Sequence, residues 1–144
     1  AVALAATVGT VLDLGCGGGE PIARYFIEQG FRVTGVDTSP KMIGFCQERF
    51  PDESWLVADM RNVVLGTRFD VIIAWDSFFQ LDHTSQRAMF PLFRDHARPG
   101  GVLVFTSGPR RGEVYGTMEG REFFHASPHS TGTDGFFTAI LTRE

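Results

Sequence analysis

Short β-rich runs alternate with amphipathic helical stretches along most of this chain of 144 residues. Runs with so few polar residues are typical of strands that are buried on both faces of a parallel sheet. Helical stretches between consecutive runs favour βαβ units. The pattern therefore predicts an α/β fold with three layers, in which helices cover both faces of a doubly wound, mostly parallel sheet. The predicted strands are 10–14, 31–36, 55–58, 71–74 and 102–106.

Three helices are predicted between these strands, at about 20–29, between Pro40 and Pro51, and at about 85–97. Thr38 or Ser39 is expected to cap the second helix, and Thr84 the third, because small hydroxyl side chains satisfy free N–H groups there. Pro91 lies inside the third helix and predicts a kink or a break. The sequence Pro-Gly-Gly at 99–101 predicts a turn before the fifth strand.

The composition is that of a soluble globular protein, with 43% hydrophobic and 21% charged residues. A formal net charge of −4 leaves no broad basic face for nucleic acid. No apolar run reaches the length of a membrane span, so we expect no membrane association and a cytoplasmic location. Two cysteines, Cys16 and Cys46, do not make a disulfide framework.

A glycine loop follows the first strand, with Gly15, Gly17 and Gly19 in alternate positions. Glycines between a strand and a helix allow a ligand to approach the backbone closely. The dinucleotide fingerprint requires its third glycine at the position that Glu20 fills, and a carboxylate there would repel a pyrophosphate. The loop therefore favours a nucleoside ligand without phosphates, although a tight turn without a ligand is the simpler alternative.

Two carboxylates end the second and third strands. Asp37 is placed to accept hydrogen bonds from both hydroxyls of a ribose, or alternatively to cap the helix that follows. Asp59 is placed to accept a hydrogen bond from the amine of an adenine, or alternatively to be a solvated turn residue. Because the carboxyl ends of parallel strands share one edge of the sheet, both side chains are expected there.

Five collinear segments within 10–107 resemble the motifs of class I S-adenosylmethionine-dependent methyltransferases. Val11–Gly19 resembles their first motif, and Val33–Met42 their second, with the acidic ribose ligand at Asp37. The other three are the adenine segment 58–60, the fourth strand 69–74, and the turn into the fifth strand, 98–103.

The resemblance implies a Rossmann-like methyltransferase fold, with S-adenosylmethionine as the cofactor and a small molecule as the methyl acceptor. A nucleophile would displace the activated methyl group in line, so the protein mainly positions and desolvates the reactants. The alternatives are a nicotinamide-dependent oxidoreductase and a non-catalytic cofactor-binding module. The cofactor-binding residues that the resemblance implies are Asp13, Gly15, Cys16, Gly17, Asp37, Thr38, Met42, Asp59, Met60 and Trp75.

Other candidate residues are weaker. His83 follows the fourth-strand region and is the best candidate for a general base, although a polar loop residue that caps a helix or hydrogen-bonds the backbone is the favoured alternative. Asp76 would line the passage to the acceptor, and Phe78 and Phe79 its pocket. His125 and His129 are four residues apart, but Pro128 opposes the helix that would bring them together on a metal, so no metal site is predicted.

The two ends of the chain depart from the family. We expect one domain over 1–144, with a core at 10–107 and an incomplete or atypical part at 108–144 that contains one late strand, 136–141. About ten residues precede the first strand, too few for the usual cofactor lid. The fold is therefore expected to be truncated at both ends. Without a final hairpin the fifth strand would be an exposed edge, which predicts a homodimer through that edge.

Overall fold

Parallel strands and helices alternate in the structure, as the pattern predicts. The computed structural model describes residues 8–75, 77, 80–107, 124–127 and 137–143. Its helices are α1 (Ile22–Glu28), α2 (Pro40–Arg49) and α3 (His83–His96), with a short 3₁₀ helix at Met60–Asn62. Its strands are β1 (Thr10–Leu14), β2 (Arg32–Asp37), β3 (Ser54–Val57), β4 (Phe69–Ala74), β5 (Ala97–Ser107), β6 (Phe124–Ser127) and β7 (Phe137–Arg143).

The described strands form one sheet in the order β3-β2-β1-β4-β5-β7-β6. The pairings among β1 to β5 are all parallel, and β7 is antiparallel to both of its neighbours. The chain order reverses between β1 and β4, and ligands in such sheets bind outside the carboxyl ends of the strands at this reversal. The doubly wound, mostly parallel sheet of the prediction is confirmed.

Alternate side chains of the central strands enter two separate hydrophobic clusters. Leu12 and Leu14 of β1 pack with Phe90 and Phe93 of α3 on one face of the sheet. Val11 packs on the other face, with residues of α1 and α2 that include Ala23, Ile43 and Cys46. Because β1 side chains alternate between the two clusters, the sheet is the middle of three layers.

Helix boundaries differ from the predictions by a few residues. Helix α1 begins at Ile22 and ends at Glu28, so Glu20 precedes the helix. The cap of α3 is Asp82, whose Oδ1 accepts a hydrogen bond from the Ser85 N–H at 2.7 Å. The prediction that Thr84 caps this helix is wrong, because a carboxylate two residues earlier takes that place. Helix α3 continues through Pro91 without a break.

Strand β5 is longer than predicted and contains the Pro-Gly-Gly segment. In its pairing with β4, Phe69 faces Ala97 and Val71 faces Val102, so β5 bulges between these two points. Gly100 adopts a φ of +80° within the bulge. A Cβ on Gly101 would lie 2.7 Å from the Arg98 carbonyl oxygen, so only glycine fits there. The predicted turn is therefore a bulge inside a strand.

The C-terminal part contains a hairpin. Strand β7 pairs with β5 from Val102↔Thr142 to Ser107↔Phe137, and β6 pairs with β7. The expectation of a single late strand is wrong, since β6 is a second one, and its residues alone carry too weak a signal to be recognised. Because β7 covers the edge of β5, the exposed edge on which the homodimer prediction rested does not exist, and β3 and β6 are the outer strands of the described sheet.

Candidate functional site

The glycine loop joins β1 to α1 and is fixed to β2 by its backbone. The N–H groups of Gly15 and Cys16 both donate to the carbonyl oxygen of Val36, at 2.7 and 3.0 Å. Gly15 has a φ of +76°, and a Cβ added to it would lie 2.4 Å from the Cβ of Ser77. Glycine is therefore required here for both backbone conformation and space.

Asp37, at the end of β2, also holds the loop, through its side chain. Its Oδ2 accepts a hydrogen bond from the Gly17 N–H, and its Oδ1 accepts one from the Ser39 N–H, both at 2.9 Å. Ser39 is the cap of α2, since its hydroxyl accepts from the Met42 N–H. Asp37 is thus not the helix cap. Each carboxylate oxygen has a second lone pair, so the side chain retains the capacity to accept from two hydroxyls.

Asp59, after β3, is paired with Arg61. The guanidinium of Arg61 donates to both carboxylate oxygens, with Nη2 at 2.5 Å from Oδ2 and Nε at 3.0 Å from Oδ1. These hydrogen bonds, together with the Arg61 backbone N–H, lower the pKa of Asp59 to about 2. The side chain is therefore an ionised acceptor across the physiological range.

These elements surround a cleft of about 300 Å³ at the carboxyl ends of the strands. This size is at the lower end of the range for small-molecule sites. Five residues predicted for the cofactor line it, together with six others. The lining residues are Gly15, Val36, Asp37, Thr38, Ala58, Asp59, Met60, Arg61, Ser77, Gln80 and Leu81.

The other five predicted cofactor residues lie outside the cleft lining. Asp13, on β1, and Cys16, within the loop, are both buried, with 3% and 8% of their surfaces exposed. Gly17 has a φ of +56°, and a Cβ on it would meet no atom within 4 Å. Met42, on α2, is 39% exposed, and Trp75 packs against the cluster on the α1 and α2 face of the sheet.

Three titratable groups lie close together at the loop, namely Asp13, Cys16 and Cys46. Burial, and then the nearby charge of Asp37, raises the pKa of Asp13 to about 7. The thiols of Cys16 and Cys46 both donate to the carbonyl oxygen of Gly17, at 3.5 and 3.1 Å. Burial raises the pKa of both thiols, so they remain protonated. Asp13 could be recognised from the sequence as part of a motif, but its raised pKa could not be predicted, because that depends on burial.

The negative charge of Glu20 is compensated by nearby arginines. Its carboxylate pairs with Arg24, and Arg49 lies 3.9 Å away. Arg49 also donates to the Gly18 carbonyl oxygen at 2.9 Å. The repulsion of a pyrophosphate that the sequence suggested is therefore weakened by two arginines that the sequence did not place there.

His83 is the exposed first residue of α3 and does not line the cleft. Asp76, Phe78, Phe79 and His129 lie outside the described residues, as does the side chain of His125. Among the residues that the structure describes, no group of three His, Cys, Asp or Glu side chains could hold a metal ion. No helix in the same part of the chain is long and apolar enough to span a membrane.

Of the six cleft residues that were not predicted to bind the cofactor, Val36 and Ala58 lie within the motif segments. The other four, Arg61, Ser77, Gln80 and Leu81, lie outside those segments. The Ser77 hydroxyl donates a hydrogen bond to the carbonyl oxygen of Leu14, the last residue of β1, at 2.8 Å. Arg61 directly follows the predicted adenine segment 58–60. Its position two residues after Asp59 was the sequence signal that could have indicated a pairing between the two side chains. Nothing in the sequence indicates that Ser77, Gln80 and Leu81 line the cleft together with Asp37 and Asp59.

The cleft suits a nucleoside with a neutral or cationic extension. Two carboxylates, Asp37 and Asp59, offer acceptors for hydroxyl and amine hydrogens, and Met60 and Leu81 offer apolar contacts. Gly15 presents backbone where any side chain would collide with Ser77. These acceptors and apolar contacts fit S-adenosylmethionine, because its adenosine has hydroxyl and amine hydrogens to donate and its sulfonium is a cation.

Comparison with known proteins agrees with this geometry. A sequence profile of the methyltransferase domain family matches residues 11–101. The trans-aconitate 2-methyltransferase of Azoarcus sp. is 37% identical over 98 residues, which are 66% of this chain and 37% of that protein. The malonyl-[acyl-carrier protein] O-methyltransferase of Pectobacterium atrosepticum is 33% identical over 97 residues, which are 67% of this chain and 38% of that protein.

Solved structures share the fold. A TehB-like S-adenosylmethionine-dependent methyltransferase from Corynebacterium glutamicum has a TM-score of 0.78 and 24% identity, and the match covers 99% of this chain and 85% of that one. The chain spans only 37% and 38% of the length of the two sequence relatives. Since the family profile covers more than half of the chain, the chain belongs to the class I S-adenosylmethionine-dependent methyltransferase family.

Proposed function

We propose that this domain binds S-adenosylmethionine in the cleft and transfers its methyl group to a small-molecule acceptor. The observation that carries the proposal is the meeting of Gly15, Asp37, Asp59 and Met60 in one cleft at the carboxyl edge of the sheet. These residues come from three separate segments of the sequence. Their convergence is the arrangement that an adenosine-containing ligand needs.

Each residue has a role that follows from its contacts. Asp37 would accept hydrogen bonds from the ribose hydroxyls while it holds Gly17, and Thr38 lies beside it in the lining. Asp59 would accept from the adenine amine, and Arg61 keeps it ionised and oriented. Met60 would pack on the base. Asp13 and Cys16 are buried at the loop, and Trp75 packs against the hydrophobic cluster that contains Cys16. Met42 would approach the adenosine from α2.

When bound, the cofactor supplies a methyl group on a sulfonium, which needs an aligned nucleophile more than it needs strong acid or base catalysis. The protein would therefore contribute by excluding water and fixing the reacting geometry. Where an acceptor must lose a proton, His83 is a candidate base at the start of α3. The acceptor is proposed to be a small molecule, as the name of the trans-aconitate relative indicates for that protein.

Calorimetric titration with S-adenosylmethionine, S-adenosylhomocysteine and NAD⁺ tests cofactor choice. We expect both sulfur compounds to bind, and Asp37→Ala to raise their Kd by at least about tenfold, since hydrogen bonds to a charged group contribute about 1.5–3 kcal/mol. Asp52→Ala, which removes an exposed carboxylate after α2, is the matched control and should leave Kd unchanged. Binding of NAD⁺ alone would refute the proposal.

A radiolabelled methyl group then tests transfer. Trans-aconitate and other small carboxylic acids are the first acceptors to try, followed by amines and alcohols. We expect label in an acceptor with the wild-type chain and a strong reduction with Asp37→Ala. Cofactor binding without transfer to any acceptor would instead favour a non-catalytic binding module.

A further inference from the structure

Among the described residues that line the cleft, Arg61 is the only cation. It is held by the carboxylate that precedes it by two residues. The Arg61 backbone N–H and Nε donate to Oδ1 of Asp59 at 2.9 and 3.0 Å, and Nη2 and Nε donate to Oδ2 at 2.5 and 3.1 Å. The Nε hydrogen is therefore shared between the two oxygens, and Arg61 directs three hydrogens at one carboxylate.

This arrangement limits what else Asp59 can accept. An ionised carboxylate has about four acceptor positions. Three are filled once the shared Nε hydrogen of Arg61 is assigned to one oxygen, which leaves one position for a further donor. Because Asp59 lines the cleft and its side chain is 30% exposed, a ligand in the cleft can supply that donor. One hydrogen of an adenine amine matches the position.

The guanidinium of Arg61, if it were released, would favour a different base. A guanidinium has donors and no acceptor, and on purines it pairs with an oxo group rather than with an amine. Hypoxanthine and guanine carry an oxo group at the ring position where adenine carries its amine. Asp59 therefore favours a 6-amino purine, whereas a free Arg61 side chain favours a 6-oxo purine.

The other polar side chains of the lining do not make this choice. Asp37 holds the glycine loop, and Ser77 donates its hydroxyl to the backbone of β1. The amide of Gln80 and the hydroxyl of Thr38 can each donate or accept, so they suit either base. Asp82, whose charge also acts on the guanidinium, is already engaged as the cap of α3. The choice of base is therefore left to the ion pair.

We propose that Arg61 determines which purine the cleft accepts: held on Asp59, it leaves one acceptor for the 6-amino group of adenine and keeps its own donors away from a 6-oxo purine. The inference rests on the proposed function, in which Asp59 receives the adenine amine. It adds a role in specificity for Arg61, which acts on the base through the carboxylate that it positions.

The test compares two ligands that differ only at this ring position. S-adenosylhomocysteine carries the amine, and S-inosylhomocysteine carries an oxo group in its place. Calorimetry with wild-type protein should give a Kd at least about tenfold lower for the adenosyl ligand, because the inosyl ligand in the same pose turns an oxygen toward a carboxylate and loses a charge-assisted hydrogen bond.

Asp59→Ala should change the two affinities in opposite directions. The Kd of S-adenosylhomocysteine should rise by about tenfold, because the amine loses its acceptor. The Kd of S-inosylhomocysteine should fall by about threefold, since the released Arg61 can donate to its oxo group. The gain is the smaller effect because the Arg61 side chain is 50% exposed, and water weakens its interactions.

A double variant separates the released arginine from the lost carboxylate. Asp59→Ala combined with Arg61→Ala should retain the weakened binding of the adenosyl ligand and lose the gain for the inosyl ligand. Arg87→Ala is the matched control, because it removes an exposed arginine of α3 that does not line the cleft, and it should leave both Kd values unchanged. None of the three substituted side chains is buried, so the variants should fold.

The possible results separate this inference from the proposed function. Equal Kd values for the two ligands in wild-type protein, no gain for the inosyl ligand in Asp59→Ala, or a gain that persists in the double variant would each overturn the inference. The proposed function would stand in all three cases, since wild-type protein binds S-adenosylhomocysteine. Failure of wild-type protein to bind that ligand would contradict the proposed function and this inference together.

Discussion

Two glycines in the same loop, Gly15 and Gly17, are required for different reasons. Both have positive φ, at +76° and +56°. A Cβ on Gly15 would lie 2.4 Å from the Ser77 Cβ, whereas a Cβ on Gly17 would meet nothing within 4 Å. The first glycine is therefore constrained by packing as well as by backbone conformation, and the second by backbone conformation alone.

Alanine substitution separates these constraints. We expect Gly17→Ala to lower the free energy of unfolding by about 1 kcal/mol, which is the cost of left-handed backbone in a residue with a Cβ. Gly15→Ala should lower it by about 2–4 kcal/mol, since a steric conflict with Ser77 is added. Urea unfolding without ligand measures both. Equal losses for the two variants would show that Ser77 moves aside at no cost.

The site residues that could be recognised from the sequence are those whose role depends only on neighbouring residues in the chain. Asp37 could be recognised because a carboxylate at the end of a strand always reaches the carboxyl edge of a parallel sheet. Ser77 could not, because its role depends on a distant partner: it hydrogen-bonds Leu14, which is 63 residues away. The shifted pKa of Asp13 arises from burial, which is a property of the folded chain alone.

Helix α3 shows how a cap determines where an element begins. Asp82 accepts a hydrogen bond from the Ser85 N–H, while Thr84, the residue that propensity favoured, lies inside the first turn. Both residue types are good caps, so sequence alone could not choose between positions two residues apart. The helix begins at the position from which its buried residues, such as Phe90 and Phe93, reach the core.

The cap gives a matched pair of variants. Asp82→Ala should lower the free energy of unfolding by about 1 kcal/mol, because an N–H group of the first turn loses its acceptor. Thr84→Ala removes an exposed hydroxyl two residues later and should change stability by less than about 0.5 kcal/mol. Thermal or urea unfolding measures the two side by side. A larger loss for Thr84→Ala would contradict the assignment of the cap.

The strands of the sheet differ in how well they are protected from solvent and from local opening. β1 and β4 have parallel neighbours on both sides and a hydrophobic cluster on each face, and Leu12 and Ile72 are 0% exposed. β3 is an outer strand, where Leu56 and Val57 are 39% and 52% exposed. Local opening should therefore begin at β3 and leave the site's central strands intact.

Hydrogen exchange tests this order. Amides of 11–14 and 72–74 should exchange at least about tenfold more slowly than those of 54–57, since central strands open only with the whole domain and edge strands open locally. Exchange followed by mass spectrometry or NMR on the free protein gives the rates. Similar rates in β1 and β3 would mean that the sheet opens as one unit.

The sequence by itself determined the order of strands and helices, the glycine loop and the carboxylates at the strand ends. These follow from local patterns of burial and backbone freedom, which short segments carry in full. Only the tertiary structure decided the pairing of β7 on β5, the bulge in β5, the presence of Ser77, Gln80 and Leu81 in the cleft, and the raised pKa of Asp13. Each of these depends on groups far apart in the chain, whose contact and burial exist only once the three layers are packed.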